Sequence, residues 1–162
     1  MAMRRKKAYF AQIPGSPPPI EVEVRRRVRF SDADPMAIMW HGRYPLLFEE
    51  AAEELGRFCG MSYQEYFEAG LRAPIVELHI DYYQPLFLDE EFTVRASLYW
   101  NEGARINTGF MVIKEDGSLA TSAYTVQLFT DHRTGEPSMI SPEMLERCRR
   151  RWRAGEFLRS LP

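Results

Sequence analysis

The sequence contains little cysteine, and this excludes two classes of small protein. Its 162 residues include only Cys59 and Cys148, which lie far apart in the chain. Two distant cysteines cannot form the dense disulfide framework of small secreted domains, and they lack the spacing of zinc or iron ligands. We therefore expect no bound metal, and we expect a reducing, cytoplasmic compartment.

Long apolar runs and a strong net charge are also missing. No run approaches the roughly 18 apolar residues of a membrane helix. The basic start, MAMRRKKAYF, is not followed by the apolar segment of a secretory signal. The net charge is −2, so bulk charge does not indicate nucleic acid as a main partner. The chain also lacks a G-x-S-x-G motif, which argues against a serine hydrolase.

The length and composition of the chain fit one globular domain with additions at both ends. Residues 1–20 include IPGSPPPI and predict an extended arm, since proline disfavours a helix. Residues 21–140 would form the main domain. Residues 141–162 predict a helix appended to it, with Ser141 as the cap and Pro142 at the first helical position. Its RCRRRWR segment is either an anionic-membrane or nucleic-acid patch or, as we favour, a solvated helix face.

The first part of the main domain predicts a strand and then a long helix. Alternation in EVEVRRRVRF (21–30) indicates a half-buried strand. Its apolar face would carry Val22, Val24, Val28 and Phe30. From Tyr44 to Phe58, apolar residues recur three and four positions apart, and Gly60 stands where a helix would end, so we predict a helix covered by a sheet.

Four alternating segments follow Pro74, and they predict antiparallel strands. They cover residues 75–83, 91–100, 104–115 and 119–130. Asp116 and Gly117, between the last two segments, are a strong hairpin signal because both residues tolerate positive φ. A strand, a long helix and four further strands together indicate an α+β domain in which the sheet wraps the helix.

The segment FSDADPMAIMWHGRY, residues 30–44, places two acids among apolar residues. Aspartate is a common helix cap, so either Asp32 or Asp34 is compatible with a purely structural role. An acid that neighbouring apolar side chains partly desolvate is instead suited to interact strongly with an electrophile. The residues alone leave both interpretations open.

This order of elements, together with FSDADPMAIMWHGRYPLLFEEA and RAPIVELHIDYYQPLFLDEE, resembles the hot-dog-fold acyl-CoA thioesterases. The branch it resembles most is the 4-hydroxybenzoyl-CoA thioesterase type, which includes the thioesterases of the Tol–Pal cluster. The resemblance implies a curved antiparallel sheet around a long central helix. It also implies a homodimer or tetramer with the active site between two subunits. No cofactor is implied, because coenzyme A is part of the substrate.

The resemblance implies roles for particular residues. Asp34 would be the catalytic carboxylate, as nucleophile or general base, and Asp32 would be structural. We predict that the backbone N–H of His41, at the start of the helix, polarises the thioester oxygen. The expected substrate-binding residues are Ile38, Trp40, Tyr44, Pro74 and Arg105. Arg105 is the first candidate for the coenzyme A phosphates, and the helical phase also assigns Tyr44 to the core.

Two departures from the family motivate other functions. Ala37 stands where the family usually has glycine, and Gly42–Arg43 stands where it often has asparagine before the tyrosine. These departures favour a non-catalytic acyl-CoA-binding module as the alternative. A hot-dog enoyl-CoA hydratase is the weaker alternative. Its D-x-N-P-x-H motif needs histidine at the place of Ala37, so the acid–base pair would be incomplete.

Overall fold

The computed structural model describes residues 8–158 as strands that surround one long helix. In chain order the elements are β1 (Ile20–Arg27), α1 (Tyr44–Cys59), α2 (Tyr63–Glu68), β2 (Leu71–Arg72), β3 (Ile75–Tyr82), β4 (Glu91–Tyr99), β5 (Arg105–Lys114), β6 (Leu119–Leu128), β7 (Thr130–Asp131) and α3 (Glu143–Arg153). Two single-turn 3-10 helices, Phe30–Asp32 and His41–Arg43, lie between β1 and α1. Within the described range, no helix is long and apolar enough to cross a membrane.

Five strands form an antiparallel sheet in the order β1-β4-β5-β6-β3, and β2 pairs with β7. Apolar residues lie opposite one another in neighbouring strands, such as Val24 with Val94 and Phe110 with both Ala96 and Ala123. The alternate β4 side chains Phe92, Val94, Ala96 and Leu98 are all buried. This confirms the alternation seen in the sequence and identifies the face of the sheet that meets the helix.

Helix α1 packs chiefly on β1 and β4 through the predicted apolar stripe. Five of its side chains are buried: Tyr44, Phe48, Ala51, Leu55 and Cys59. The Phe48 ring stacks on Phe110 of β5 at a centroid distance of 4.9 Å. The helix ends at Gly60, whose φ of 76° lies in the left-handed region that glycine adopts without steric cost. The predicted α+β hot-dog architecture is therefore confirmed.

An apolar groove of about 230 Å³ lies between α1 and the helix-facing side chains of β5, β6 and β3. β3 is the edge of the sheet, and it exposes Ile75 (56%), Val76 (55%), Leu78 (44%) and Tyr82 (50%). An exposed apolar edge strand is a ready template for pairing with another strand.

The N-terminal arm, residues 8–19, begins on the opposite face of the sheet. The Tyr9 hydroxyl donates to Asp81 Oδ2 at 2.7 Å, and Phe10 packs against the rings of Tyr99 and Tyr124. The carbonyl of Pro18 accepts a hydrogen bond from Trp152 Nε1 of α3 at 2.8 Å. The described part of the arm thus contains no helix or strand, as predicted, while residues 1–7 lie outside the described range. The division of the chain at residues 20 and 140 stays a prediction.

Two details of the predicted elements are wrong. Phe30 is 87% exposed and is not on the apolar face of β1, because the strand ends at Arg27. The backbone N–H of Arg29 donates to Asp32 Oδ2 at 2.9 Å, which turns the chain away from the sheet before Phe30. Ser141 does not cap α3 and Pro142 is not its first helical residue, because the helix begins at Glu143 with Pro142 in the cap position. The Ser141 hydroxyl instead accepts from buried Arg149 Nη1 at 2.8 Å.

The arginines of α3 are compensated by acids. The solvent-facing ones pair as Arg147–Glu65, Arg150–Glu143, Arg151–Glu156 and Arg153–Glu102. Surface pairs of this kind contribute little to stability, about 0–1 kcal/mol each, but they leave less uncompensated charge for an anionic partner. This favours the solvated helix that we preferred from the sequence.

Candidate active site

The chain between β1 and α1 forms a short hairpin, which we call the acid hairpin (residues 32–40). The backbone N–H of Asp34 donates to the carbonyl of Ile38 at 2.8 Å, and that of Trp40 donates to the carbonyl of Asp32 at 2.8 Å. A second layer of backbone bonds ties the hairpin to the segment between β3 and β4, where Met39 N–H donates to Leu86 at 2.8 Å. The acid at position 34 is therefore carried by a hydrogen-bonded backbone.

The carboxylate of Asp34 performs the structural role that aspartate often has in a turn, but with one oxygen only. Its Oδ1 accepts the N–H of Met36 at 2.8 Å. Within residues 8–158, no hydrogen bond or ion pair reaches Oδ2. The residue is half-buried. One carboxylate oxygen thus fixes the orientation of the side chain while the other remains available for chemistry.

Ala37 has a left-handed backbone with φ of 59°. This is the position at which the resemblance led us to expect glycine. A left-handed conformation costs an L-residue about 1–2 kcal/mol, whereas glycine adopts it freely. The alanine therefore keeps the backbone that a glycine would give, at the expense of local strain. The carbonyl of Ala37 also accepts from Leu88 N–H at 2.9 Å, which holds the strained residue in place.

Ala37→Gly is expected to raise the free energy of unfolding by about 1 kcal/mol. Relief of the strain outweighs the extra unfolded-state entropy of glycine, which is about 0.4–1 kcal/mol. Urea denaturation with an unchanged m-value measures this. Ala33→Gly is the matched control, because Ala33 has φ of −88° and should only lose stability. Equal effects of the two substitutions would contradict the prediction.

The acid hairpin leads directly into the amino end of α1. The 3-10 turn His41–Arg43 precedes the helix, and among the described residues no acceptor binds the backbone N–H of His41 or Gly42. Free N–H groups at a helix start carry partial positive charge, which the helix dipole reinforces. The hairpin therefore places an available carboxylate and available amide donors at the same end of α1.

The predicted substrate residues near this end have different environments. Trp40 is 47% exposed, and its ring lies over Gly42 so closely that a Cβ there would be 2.4 Å from ring carbons. Ile38 is half-buried, and its backbone forms an isolated antiparallel β-bridge with Phe87. Tyr44 is 3% exposed and belongs to the core, as its helical phase predicted. Burial raises the pKa of its hydroxyl, so Tyr44 is not a base at neutral pH.

Pro74 and Arg105 do not lie near Asp34 in the same chain. Arg105 is the first residue of β5 and lies opposite Leu128 of β6. The backbone N–H of Leu128 donates to the carbonyl of Pro74 at 3.3 Å, so Pro74 and Arg105 lie at the same end of the sheet. The acid hairpin lies beyond the other end of β5, and a ten-residue strand spans about 30 Å. The predicted site residues thus form two groups at opposite ends of the sheet.

Several other arginines on the sheet are already engaged in ion pairs. Arg95 pairs with Glu23, and Arg25 and Arg27 both pair with Glu91. Arg105 is exposed, and within the described range it makes no ion pair. It is therefore free to bind an external anion.

Sequence reasoning missed the segment between β3 and β4 as a neighbour of the acid hairpin. Phe87 and Leu88 are large, exposed apolar residues there. Lys114 lies behind them, with Nζ 3.0 Å from the carbonyl of Pro85 and 3.1 Å from Glu90. The only available signal was that QPLFLDEE forms part of the second segment that carries the resemblance.

No metal-binding arrangement accompanies the acid. Across residues 8–158, no group of three or more histidine, cysteine, aspartate or glutamate side chains could hold a metal ion. Cys59 and Cys148 are both buried and free. The groups available at this end of α1 include the Asp34 carboxylate and the backbone amides of His41 and Gly42.

An antiparallel sheet that packs on one long helix in this way is the hot-dog fold. The chain belongs to the thioesterase-like superfamily, whose family model matches residues 28–148. Among its relatives is a proposed esterase of Aquifex aeolicus, 33% identical over 59% of this chain and 75% of that protein. A proposed acyl-CoA thioesterase of Bacillus subtilis, YneP, is 24% identical over 68% of this chain and 80% of its own length.

The architecture is also similar to that of solved structures. The DHNA-CoA thioesterase from Staphylococcus aureus superposes with a TM-score of 0.74, covering 84% of this chain and 93% of the other at 21% identity. At that identity, the likeness describes the fold and not the substrate.

Proposed function

We propose that this thioesterase hydrolyses an acyl-CoA to the free acid and coenzyme A with Asp34 as the catalytic carboxylate. The observation that carries the proposal is the available Oδ2 of Asp34, on a hairpin that runs into the unoccupied amides of His41 and Gly42. Family membership and the B. subtilis relative support acyl-CoA as the kind of substrate. The particular acyl group is left open.

The chemistry follows from these two groups. The amides donate to the thioester oxygen, where negative charge develops as the carbonyl carbon is attacked. Asp34 either attacks that carbon, forming an anhydride that water hydrolyses, or removes a proton from the attacking water. In both routes the C–S bond breaks, the thiolate of coenzyme A leaves, and water supplies the second carboxyl oxygen.

We further propose that the working unit is a homodimer, or a tetramer built from dimers, joined through the edges of β3. Pairing about a two-fold axis makes the two copies of β3 antiparallel. The Arg105 end of one subunit then lies beside the Asp34 end of the other. This explains why Pro74 and Arg105 are remote from Asp34 within one chain while the resemblance assigns all three to one site.

Arg105 would bind the phosphates of coenzyme A from the second subunit. Its guanidinium makes no ion pair to a described residue, and arginine binds phosphate through paired hydrogen bonds. The exposed apolar side chains Trp40, Phe87 and Leu88 would contact the thioester end of the substrate.

A free-thiol assay tests the function. Short and long aliphatic and aromatic acyl-CoAs are compared with the same acyl groups on pantetheine, which lacks the nucleotide phosphates. We expect thiol release from at least one acyl-CoA and a KM about ten-fold or more higher for its pantetheine thioester. Tight binding of acyl-CoA without thiol release would support the non-catalytic module instead. Hydration of crotonyl-CoA would support the hydratase.

The structure weakens the reason for the non-catalytic alternative. Ala37 adopts the left-handed backbone for which glycine is normally needed, so this substitution does not distort the acid hairpin. Neither alternative function gains a specific observation in its favour.

A further inference from the structure

Arg43 is a cation at the wrong end of a helix. It occupies the position before α1, where the helix dipole is positive and a basic residue is unfavourable. Its side chain makes no helix-capping hydrogen bond. The stability of α1 therefore does not explain why an arginine stands at position 43. The contacts of its side chain are with the base of the acid hairpin.

The guanidinium of Arg43 reaches back to the base of the acid hairpin. Its Nη2 donates to the carbonyl of Ser31 at 2.7 Å, and its Nε lies 3.4 Å from Asp32 Oδ1. The pair is partly protected from water, with side-chain exposures of 33% for Arg43 and 21% for Asp32. Arg43 thus connects the start of α1 to residues that precede Asp34 in the chain.

Asp32 links Arg43 to the rest of the acid hairpin through its own hydrogen bonds. Its Oδ2 accepts the N–H of Arg29 at 2.9 Å, and its carbonyl accepts the N–H of Trp40 at 2.8 Å. The next backbone bond along the hairpin is the one from Asp34 N–H to Ile38. A shift of Asp32 would therefore move the backbone that carries the catalytic carboxylate.

We propose that Arg43 is a positioning residue, which holds the acid hairpin against the helix start so that Asp34 and the free amides meet the same thioester carbonyl. This inference rests on the proposed function. It gives Arg43 no contact with substrate, so its loss should affect the chemical step more than binding. A misplacement of a reacting group by about 1 Å costs up to about 100-fold in rate.

Arg43→Met, Arg43→Lys and Arg26→Met test the proposal. Arg26 is the matched control, because it forms an ion pair with Glu50 at 2.8 Å, is 37% exposed, and lies outside the hairpin. We expect kcat to fall about 10- to 100-fold in Arg43→Met with KM within about two-fold of wild type. Arg43→Lys should give an intermediate kcat, since lysine can donate to Ser31 but lacks the forked donor. Arg26→Met should leave kcat within about two-fold.

Amide hydrogen exchange gives a second readout that does not depend on turnover. The N–H groups of Asp34 and Trp40 should exchange about ten-fold faster in Arg43→Met and at the wild-type rate in Arg26→Met. Unchanged exchange would overturn the proposal. So would an Arg43→Met kcat equal to that of Arg26→Met, an Arg43→Lys kcat no better than that of Arg43→Met, or a raised KM with unchanged kcat.

Failure of the proposed function gives a different result. If the wild-type protein releases thiol from no acyl-CoA, the proposed function fails, and the exchange of the two hairpin amides still decides whether Arg43 holds the hairpin. If the wild type turns over and Arg43→Met turns over equally well, only the role of Arg43 fails.

Discussion

Asp34→Asn is expected to reduce kcat about 1,000-fold or more while the protein stays folded. Asparagine has nearly the same shape, and its side-chain oxygen can still accept the N–H of Met36, so the turn is preserved. The amide lacks the negative charge that is needed to attack the carbonyl carbon or to accept a proton from water. Catalytic groups of this kind contribute about 10²–10⁴-fold to a rate. Thiol release and the midpoint of thermal unfolding measure the two effects separately.

Asp89→Asn is the matched control for this substitution. Asp89 lies beside the acid hairpin, and its side chain is 80% exposed. Its φ of 69° is left-handed, a conformation that asparagine also tolerates. Its loss removes one surface ion pair with Arg27 and should change kcat less than about two-fold. Full activity in Asp34→Asn, with Asp89→Asn also active, would remove Asp34 from the mechanism.

Leu78→Lys is expected to produce monomers and to reduce kcat more than about 100-fold. Leu78 lies near the middle of β3, borders the apolar groove and is 44% exposed in a single chain. Antiparallel pairing of two β3 strands would bring the two copies of residue 78 close together. Burying two unpaired ammonium groups there costs several kcal/mol each. Separated chains would also lose the second half of each site.

Met139→Lys controls for the added charge. It makes the same kind of change at a side chain that is 92% exposed and does not line the groove. Light scattering gives the mass of each variant, and thiol release gives its activity. A Leu78→Lys protein that is monomeric yet fully active would show that one chain contains the whole site, and one that stays dimeric would show that β3 is not the interface.

Local patterns in the sequence were sufficient for most of the fold. The stripe that begins at Tyr44 and the stop at Gly60 predicted α1, because a helix buries residues at a fixed local spacing. Gly117 predicted the β5–β6 turn and has φ of 82°. These features depend on neighbours within a few residues, so a single sequence contains the information.

Contacts between distant residues could not be read in the same way. Nothing local shows that Arg43 reaches Asp32, or that Arg149 donates a hydrogen bond to Ser141. The separation of Arg105 from Asp34 depends on strand order, which alternation does not encode. The catalytic role expected for Asp34 rests on the resemblance, whereas the hairpin that carries it became apparent only in three dimensions.

The arm on the outer side of the sheet has a consequence for higher assembly. Tyr9 and Phe10 shield the back of β3, β4 and β6, so strands in that region have neighbours on both sides of the sheet. A second dimer that approached from behind would meet the rings of Tyr9 and Phe10 before it met the strands beneath them. Four-subunit assembly through that side would therefore need either a partner shaped to the arm or an arm that has been lifted away.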